Sequence, residues 1–286
     1  MTTTAAPRDN RDICLATLRD TDRDRYLACL LAPEDKRPAL AALYAFNAEL
    51  ARIRDLVHEP LPGEVRMQYW RDLLEGQAHG SSEANPIAAE LLNAIEQYRL
   101  PRQTLIDMID ARIFDLYDDP METRGNLEGY AGETASALIQ LASLVLSSEE
   151  AKLSAEAAGH AGVAQAIAGL LLLMPLYRHR GQLYLPIEIL SATGLDRDSF
   201  LAGEDKARIS VAVEAFAGLG REHLAKARAA APIPAAVFPA FLPATLAEPV
   251  LKKAQSLGAG IFDRPLALPQ WRRQMRMAIS AIIKKI

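Results

Sequence analysis

Two stretches concentrate the side chains that could do chemistry. Residues 44–59, YAFNAELARIRDLVHE, carry Glu49, Arg52, Arg54, Asp55 and His58, and residues 178–186, RHRGQLYLP, carry Arg178, His179 and Arg180. Carboxylates three or four apart share a helical face, and several together hold Mg²⁺ through their oxygens. Here one aspartate stands among arginines, which makes Asp55 a poor cation site. Arginine grips oxyanions bidentately, so Arg52, Arg54, Arg178 and Arg180 are candidate anion contacts. Plainer readings stand beside these. Glu49 and Asp55 are either surface acids paired with Arg52 or Arg54 at helical spacing, or part of a polar cavity mouth. Arg178 and Arg180 either neutralise a helix C-terminus or grip an anion. His58 and His179 have no partner cluster and are not read as metal ligands. His160 and His223 give no signal, and Trp70 is expected in the core.

The elements that position these residues are helices. Half of the 286 residues are hydrophobic but only 6% are aromatic, and the abundance of Ala and Leu favours helix over sheet. A formal charge of −4 excludes a general nucleic-acid binder. Cys14 and Cys29 lack metal spacing and are read as reduced and structural, as in a cytosolic protein. The start, MTTTAAPRDNRD, has neither the apolar run of a secretory signal nor the Arg-rich pattern of a transit peptide, and residues 1–20 are expected to be loose. Residues 32–59 read as one long helix with Leu40, Leu43, Phe46, Leu50, Ile53 and Val57 on one stripe, closed by Pro60 and Pro62. Further helices are expected over 25–31, 64–75, 87–98, 104–117, 126–146, 160–176, 210–229, 246–257 and 270–286, with a loop over 80–86. Small residues between Ala131 and Ala137 permit close helix contact. The charge-free run from Ala161 to Tyr177 is short for a membrane span of ~20 residues and is broken near its end by Pro175, so it reads as a buried central helix. The proline-rich run over 231–249 reads as short turns lying on the body. One all-α domain over 1–286 is the simplest organisation.

These motifs resemble the squalene/phytoene synthases, head-to-head prenyl synthases that join two isoprenyl diphosphates. The Tyr44-Ala45-Phe46 lead, RMQYWRDLLEG (66–76), LIDMIDARIFDLYDDP (105–120), LEGYAGETASALIQLA (127–142) and RGQLYLP (180–186) follow one another in the family's order. The resemblance implies a single bundle of the isoprenoid synthase type with a central cavity, and an acid at Asp115. It also implies two clusters of metal-binding aspartates. The first falls on Ala51, Arg52 and Asp55, so only one acid remains. The second falls near Leu173 and Tyr177, and no Asp or Glu occurs between Glu156 and Glu188. These departures resemble the branch of assembly factors for respiratory complex I, NADH:ubiquinone oxidoreductase, which lacks the metal-binding aspartates.

Three functions follow from the resemblance. The first is a non-catalytic protein that assists biogenesis of complex I or a related membrane complex. The second is a prenyltransferase that handles diphosphates through Arg52, Arg54, Arg178 and Arg180, with Mg²⁺ as cofactor in that case alone. The third is a carrier of an isoprenoid or quinone-like lipid. The expected partners are complex I subunits or assembly proteins, and the expected location is the cytoplasm, at the inner face of the membrane. The tail carries Arg264, Arg272, Arg273, Arg276, Lys284 and Lys285 and no acid after Asp263. The basic helix expected over 264–286 either lies on an anionic membrane through Trp271–Ile286 or packs on the body with a solvated basic face.

Overall fold

The computed structural model describes residues 9–77, 84–230 and 232–286, and no strand occurs among them. Helix α1 (Asn10–Thr21) starts on Asp9, whose carboxylate accepts from the Arg11 N–H, and it buries Cys14 and Leu18. The expectation of a loose segment up to residue 20 is therefore corrected from Asn10 onward, because this face packs against α3 and α5. Both cysteines are free and buried, and burial pushes the Cys14 thiol up to about 12. Helix α2 (Arg23–Leu30) follows.

The helix expected over 32–59 is really three pieces. A 3₁₀ turn (Glu34–Lys36) leads into α3 (Arg37–Arg52), and a second 3₁₀ turn (Ile53–Leu56) ends it. The chain leaves the helical region at Val57, which is extended at φ −129 and ψ 149. A residue before proline is pushed out of the helical region, and Glu59, before Pro60, is extended at φ −115 and ψ 152. Pro60 and Pro62 do not close a helix; they open α4 (Pro60–Glu75) in its first turn, where a missing N–H goes unmissed. Asp55 thus sits on a tight turn rather than on a helical face. Trp70 of α4 is buried and meets Phe46 of α3 edge-on at 5.1 Å. The loop expected over 80–86 lies mostly outside the described residues.

Helices α5 (Pro86–Tyr98) and α6 (Arg102–Ile113) lead to α7 (Arg124–Ala131), which a Thr123–Asn126 capping box begins. The helix expected over 126–146 holds a five-residue π segment, Gly132–Ser136, before α8 (Ala137–Leu146). The small residues there do allow close contact: Gly162 sits directly against Ser136, whose Oγ donates to the Gly159 carbonyl at 2.7 Å. After the short α9 (Ser148–Leu153) comes α10 (Ala155–His179). It packs on α8, α13 (Lys206–Ala229) and α15 (Ala247–Leu257). Among the described residues α10 alone is long and apolar enough to cross a membrane, but 61% of that window is buried inside the fold. It runs through Pro175 to His179 rather than stopping there.

Short helices α11 (Ile187–Ala192) and α12 (Arg197–Ala202), which the hydrophobic pattern did not reveal, bridge α10 to α13. The proline-rich run forms α14 (Phe238–Phe241) and a 3₁₀ turn (Leu242–Leu246). It is not laid on the surface, since Phe238, Phe241 and Leu242 are fully buried. Helix α16 (Gln270–Ile283) closes the chain, shorter than the 264–286 expected. Arg276 ties it to Glu248 at 2.8 Å, and Arg273 pairs with Asp24.

Candidate functional site

A cavity of about 490 Å³ opens between α3, α6, α7, the C-terminal half of α10 and the segment that follows the proline-rich run. Leu173 and Tyr177 line it without filling it. Ala51, Arg52 and Asp55 line it as well, so the two stretches in which the resemblance implies acids do converge on one space. Only Asp55 among these five carries a carboxylate. Its Oδ1 accepts from Arg180 Nη1 at 2.6 Å, across 125 residues of sequence. The pairing of Asp55 with Arg52 or Arg54 is thereby corrected. Once the 3₁₀ turn replaces the helix, Asp55 is aimed at the end of α10. Arg52 instead pairs with Glu49 at 3.5 Å. Arg54 reaches Asp118 at 3.8 Å and donates to the Val57 carbonyl at 3.3 Å.

Arg178 does not line the cavity. Its Nε and Nη2 donate to the Leu201 and Ala202 carbonyls, each at 2.7 Å, and its guanidinium lies 4.5 Å above the Phe262 ring. It therefore caps the end of α12 through Nε and Nη2.

The donor set does not fit the family's Mg²⁺. Octahedral Mg²⁺ requires oxygen ligands, carboxylates foremost. One aspartate already neutralised by Arg180 is no such set, and no group of three or more His, Cys, Asp and Glu converges anywhere among the described residues.

The deepest polar cluster of the cavity surrounds Asp115, which is 7% exposed. Arg112 Nη1 donates to its Oδ2 at 3.0 Å, Tyr184 to its Oδ1 at 3.0 Å, and Tyr130 to its Oδ1 at 2.9 Å. Burial opposes the charge on Arg112, but the Asp115 carboxylate beside it outweighs that effect and holds the guanidinium protonated. Burial, reinforced by the Asp115 charge, pushes the Tyr177 hydroxyl up to about 12 and the Tyr130 and Tyr184 hydroxyls further. All three therefore stay neutral donors. Sequence reasoning placed an acid at Asp115 but missed this cluster. The three-residue step from Arg112 to Asp115 was the available signal.

Two further features were missed. Gln182 is 3% exposed and lines the cavity, with neither its Nε2 nor its Oε1 hydrogen-bonded. Outside the cavity, His160 Nδ1 meets His223 Nδ1 at 3.1 Å, and His223 Nε2 meets Glu128 at 3.2 Å. Burial lowers the pKa of His223, so the pair joins α10 to α13 with one ring donating and the other accepting.

The Squalene/phytoene synthase family profile matches residues 18–273. The assembly factor 6 of NADH dehydrogenase (ubiquinone) complex I from Rattus norvegicus is 34% identical over 259 residues, covering 90% of this chain and 78% of that protein. Its counterpart in Homo sapiens is 33% identical over 254 residues, covering 88% and 76%. A phytoene synthase of Arthrospira platensis is 22% identical over 303 residues, covering 100% and 97%. Among solved structures, a dehydrosqualene synthase in complex with ligand superposes with a TM-score of 0.72 at 18% identity, covering 96% of both chains, which shows the shared isoprenoid synthase fold. From the profile match, the helical fold and the convergence of both motif stretches on one cavity, the chain belongs to the squalene/phytoene synthase family.

Proposed function

We propose that this chain is a non-catalytic member of its family that assists biogenesis of respiratory complex I, or of a related membrane complex, from the cytoplasmic face of the membrane. The observation that carries the reading is the cavity itself. It is open, and the five positions of the two acidic motifs surround it, yet they supply one carboxylate tied up by Arg180. Prenyl transfer needs metal ions to neutralise the departing diphosphate, an effect of several kcal/mol, and each ~1.4 kcal/mol is tenfold in rate. The arginines do not replace them, because Arg178 is committed to backbone carbonyls and Arg52, Arg54 and Arg180 to acids. The relatives at 33–34% identity are named as assembly factors of complex I, which supports the same role. Complex I subunits or assembly proteins are the partners it implies, with an isoprenoid or quinone-like lipid held in the cavity.

The test is genetic and enzymatic together. Deleting the chain in its own cells is expected to lower NADH:quinone oxidoreductase activity and assembled complex I, and Asp55→Ala is expected to restore both like the unaltered chain. Purified protein with farnesyl or geranylgeranyl diphosphate and Mg²⁺ is expected to release no diphosphate. Magnesium-dependent release would overturn the non-catalytic reading, and complex I unchanged by the deletion would overturn complex I as the complex assisted.

Peripheral membrane contact belongs to the same reading. On α16, Met277 and Ser280 face the body, while Trp271, Met275, Ile279, Ile282 and Ile283 form an exposed stripe beside Arg272, Lys284 and Lys285. Such a face suits the interface of an anionic bilayer. Fully burying one large apolar side chain is worth about 1.5–3 kcal/mol. Trp271→Glu with Ile282→Glu is therefore expected to weaken flotation with anionic vesicles at least tenfold, and salt to weaken the parent's. Equal flotation of variant and parent would remove this contact.

A further inference from the structure

The cavity pairs nearly all its charge internally and leaves an uncharged amide idle. Arg25 meets Asp22 at 2.5 Å, Arg112 meets Asp115 at 3.0 Å, Arg180 meets Asp55 at 2.6 Å, and Arg273 pairs with Asp24. A diphosphate drawn to any of these cations would sit beside the carboxylate that already neutralises it, and the like charges would repel. The Gln182 amide, by contrast, is buried with both its donor and its acceptor unmet, a state that costs about 1–3 kcal/mol per group unless something answers it. Both amide atoms are sealed from the cavity surface, so a ligand reaches them when the side chain turns toward the cavity; a hydroxyl then answers both ends at once, donating to Oε1 and accepting from Nε2, and a carbonyl answers Nε2. Leu172, Leu173 and Leu176 stand partly exposed along the same wall, where an apolar tail would cover them. The volume of about 490 Å³ suits one small-molecule ligand, hence one tail.

We propose that the cavity takes a single-tailed, uncharged lipid whose hydroxyl or carbonyl head bonds the Gln182 amide, in preference to an isoprenyl diphosphate. This rests on the non-catalytic reading above and names its ligand class. The rival is an anionic head on Arg54, whose Nε is also buried without an acceptor, although its other nitrogens already serve Asp118 and the Val57 carbonyl.

The experiment is equilibrium binding to the full chain of geranylgeraniol, decylubiquinone, the head-less hydrocarbon squalane, and geranylgeranyl diphosphate with Mg²⁺, on the parent and on Gln182→Leu. At least one of the two headed neutral lipids is expected to bind tenfold or more tightly than the diphosphate, and the two arms separate a hydroxyl from a carbonyl head. Gln182→Leu is expected to weaken that lipid about tenfold, as for a lost hydrogen bond worth roughly 1.4 kcal/mol, and to leave squalane unchanged. Because the variant removes unmet polar groups, its ligand-free melting temperature is expected to hold or rise, which separates lost binding from lost folding. Equal or tighter binding of the diphosphate, no binding of either headed lipid, or an unaltered affinity in Gln182→Leu would overturn the inference. Diphosphate held without turnover would overturn only this head-group assignment, whereas diphosphate released would overturn the non-catalytic reading itself.

Discussion

Asp115→Ala is expected to destabilise the protein by about 3–5 kcal/mol, the range for removing one partner of a buried ion pair. The loss has a specific origin. Arg112, Tyr130 and Tyr184 all donate to this one carboxylate. Without it Arg112 keeps only the Tyr130 hydroxyl oxygen as an acceptor, its buried charge is uncompensated, and the Tyr130 and Tyr184 hydroxyls lose the oxygens they donate to. The melting temperature should fall by roughly 2–4 °C per kcal/mol for a chain of this size. Asp115→Asn separates charge from hydrogen bonding, since it keeps an acceptor for the tyrosines but leaves Arg112 uncompensated, and it should fall between the parent and Asp115→Ala. A denaturant midpoint for Asp115→Ala within about 1 kcal/mol of the parent, against typical buried-pair losses, would show that the cluster is not what holds α6, α7 and the Tyr184 segment together.

Gly162→Ala is expected to cost about 2 kcal/mol, although the change adds a single methyl group. Its Cβ would fall inside van der Waals distance of the Ser136 backbone and hydroxyl, so α10 and the π segment must move apart as rigid pieces. Overpacking of this kind usually costs about 1–3 kcal/mol. Backbone against backbone leaves no flexible side chain to give way, so the loss should lie at the upper end of that range. Alanine's better helix propensity, worth about 1 kcal/mol over glycine, offsets only part of it. Gly159→Ala is the control, one turn earlier on the same helix and with nothing within 4 Å of its would-be Cβ. It should be neutral or slightly stabilising in thermal melts. Matching melts for the two variants would sink the close-approach argument.

These two sites also show what the sequence made legible. The small residues around Ser136 announced a close contact because crowding leaves a local compositional trace, although their partner, Gly162, was not named. The order of motifs and the all-helical character were equally local and equally readable. The long stripe through Val57 was misleading because periodicity continues across a 3₁₀ turn as readily as along a helix. Long-range partners left no trace at all. Asp55 reads as a neighbour of Arg52 and Arg54 until the fold brings Arg180 to it. His160 and His223 are silent until α10 and α13 lie side by side. Gln182 stands out only when its neighbours are known, because an unmet amide is a property of surroundings rather than of spacing.

The Asp55–Arg180 pair also bears on how a metal site could be built into this cavity. Replacing Leu173 or Tyr177 with an acid one at a time would add a carboxylate to a mouth where Asp55 is already satisfied by Arg180, with no ion yet able to bind it. Restoring an acid at position 52 would likewise strip Glu49 of its Arg52 partner. Each step toward a metal centre is thus unfavourable by itself, and the benefit arrives only when several are present together. The ion pair thus sets the order of any such change: the acids must be present together before a bound ion can offset their repulsion.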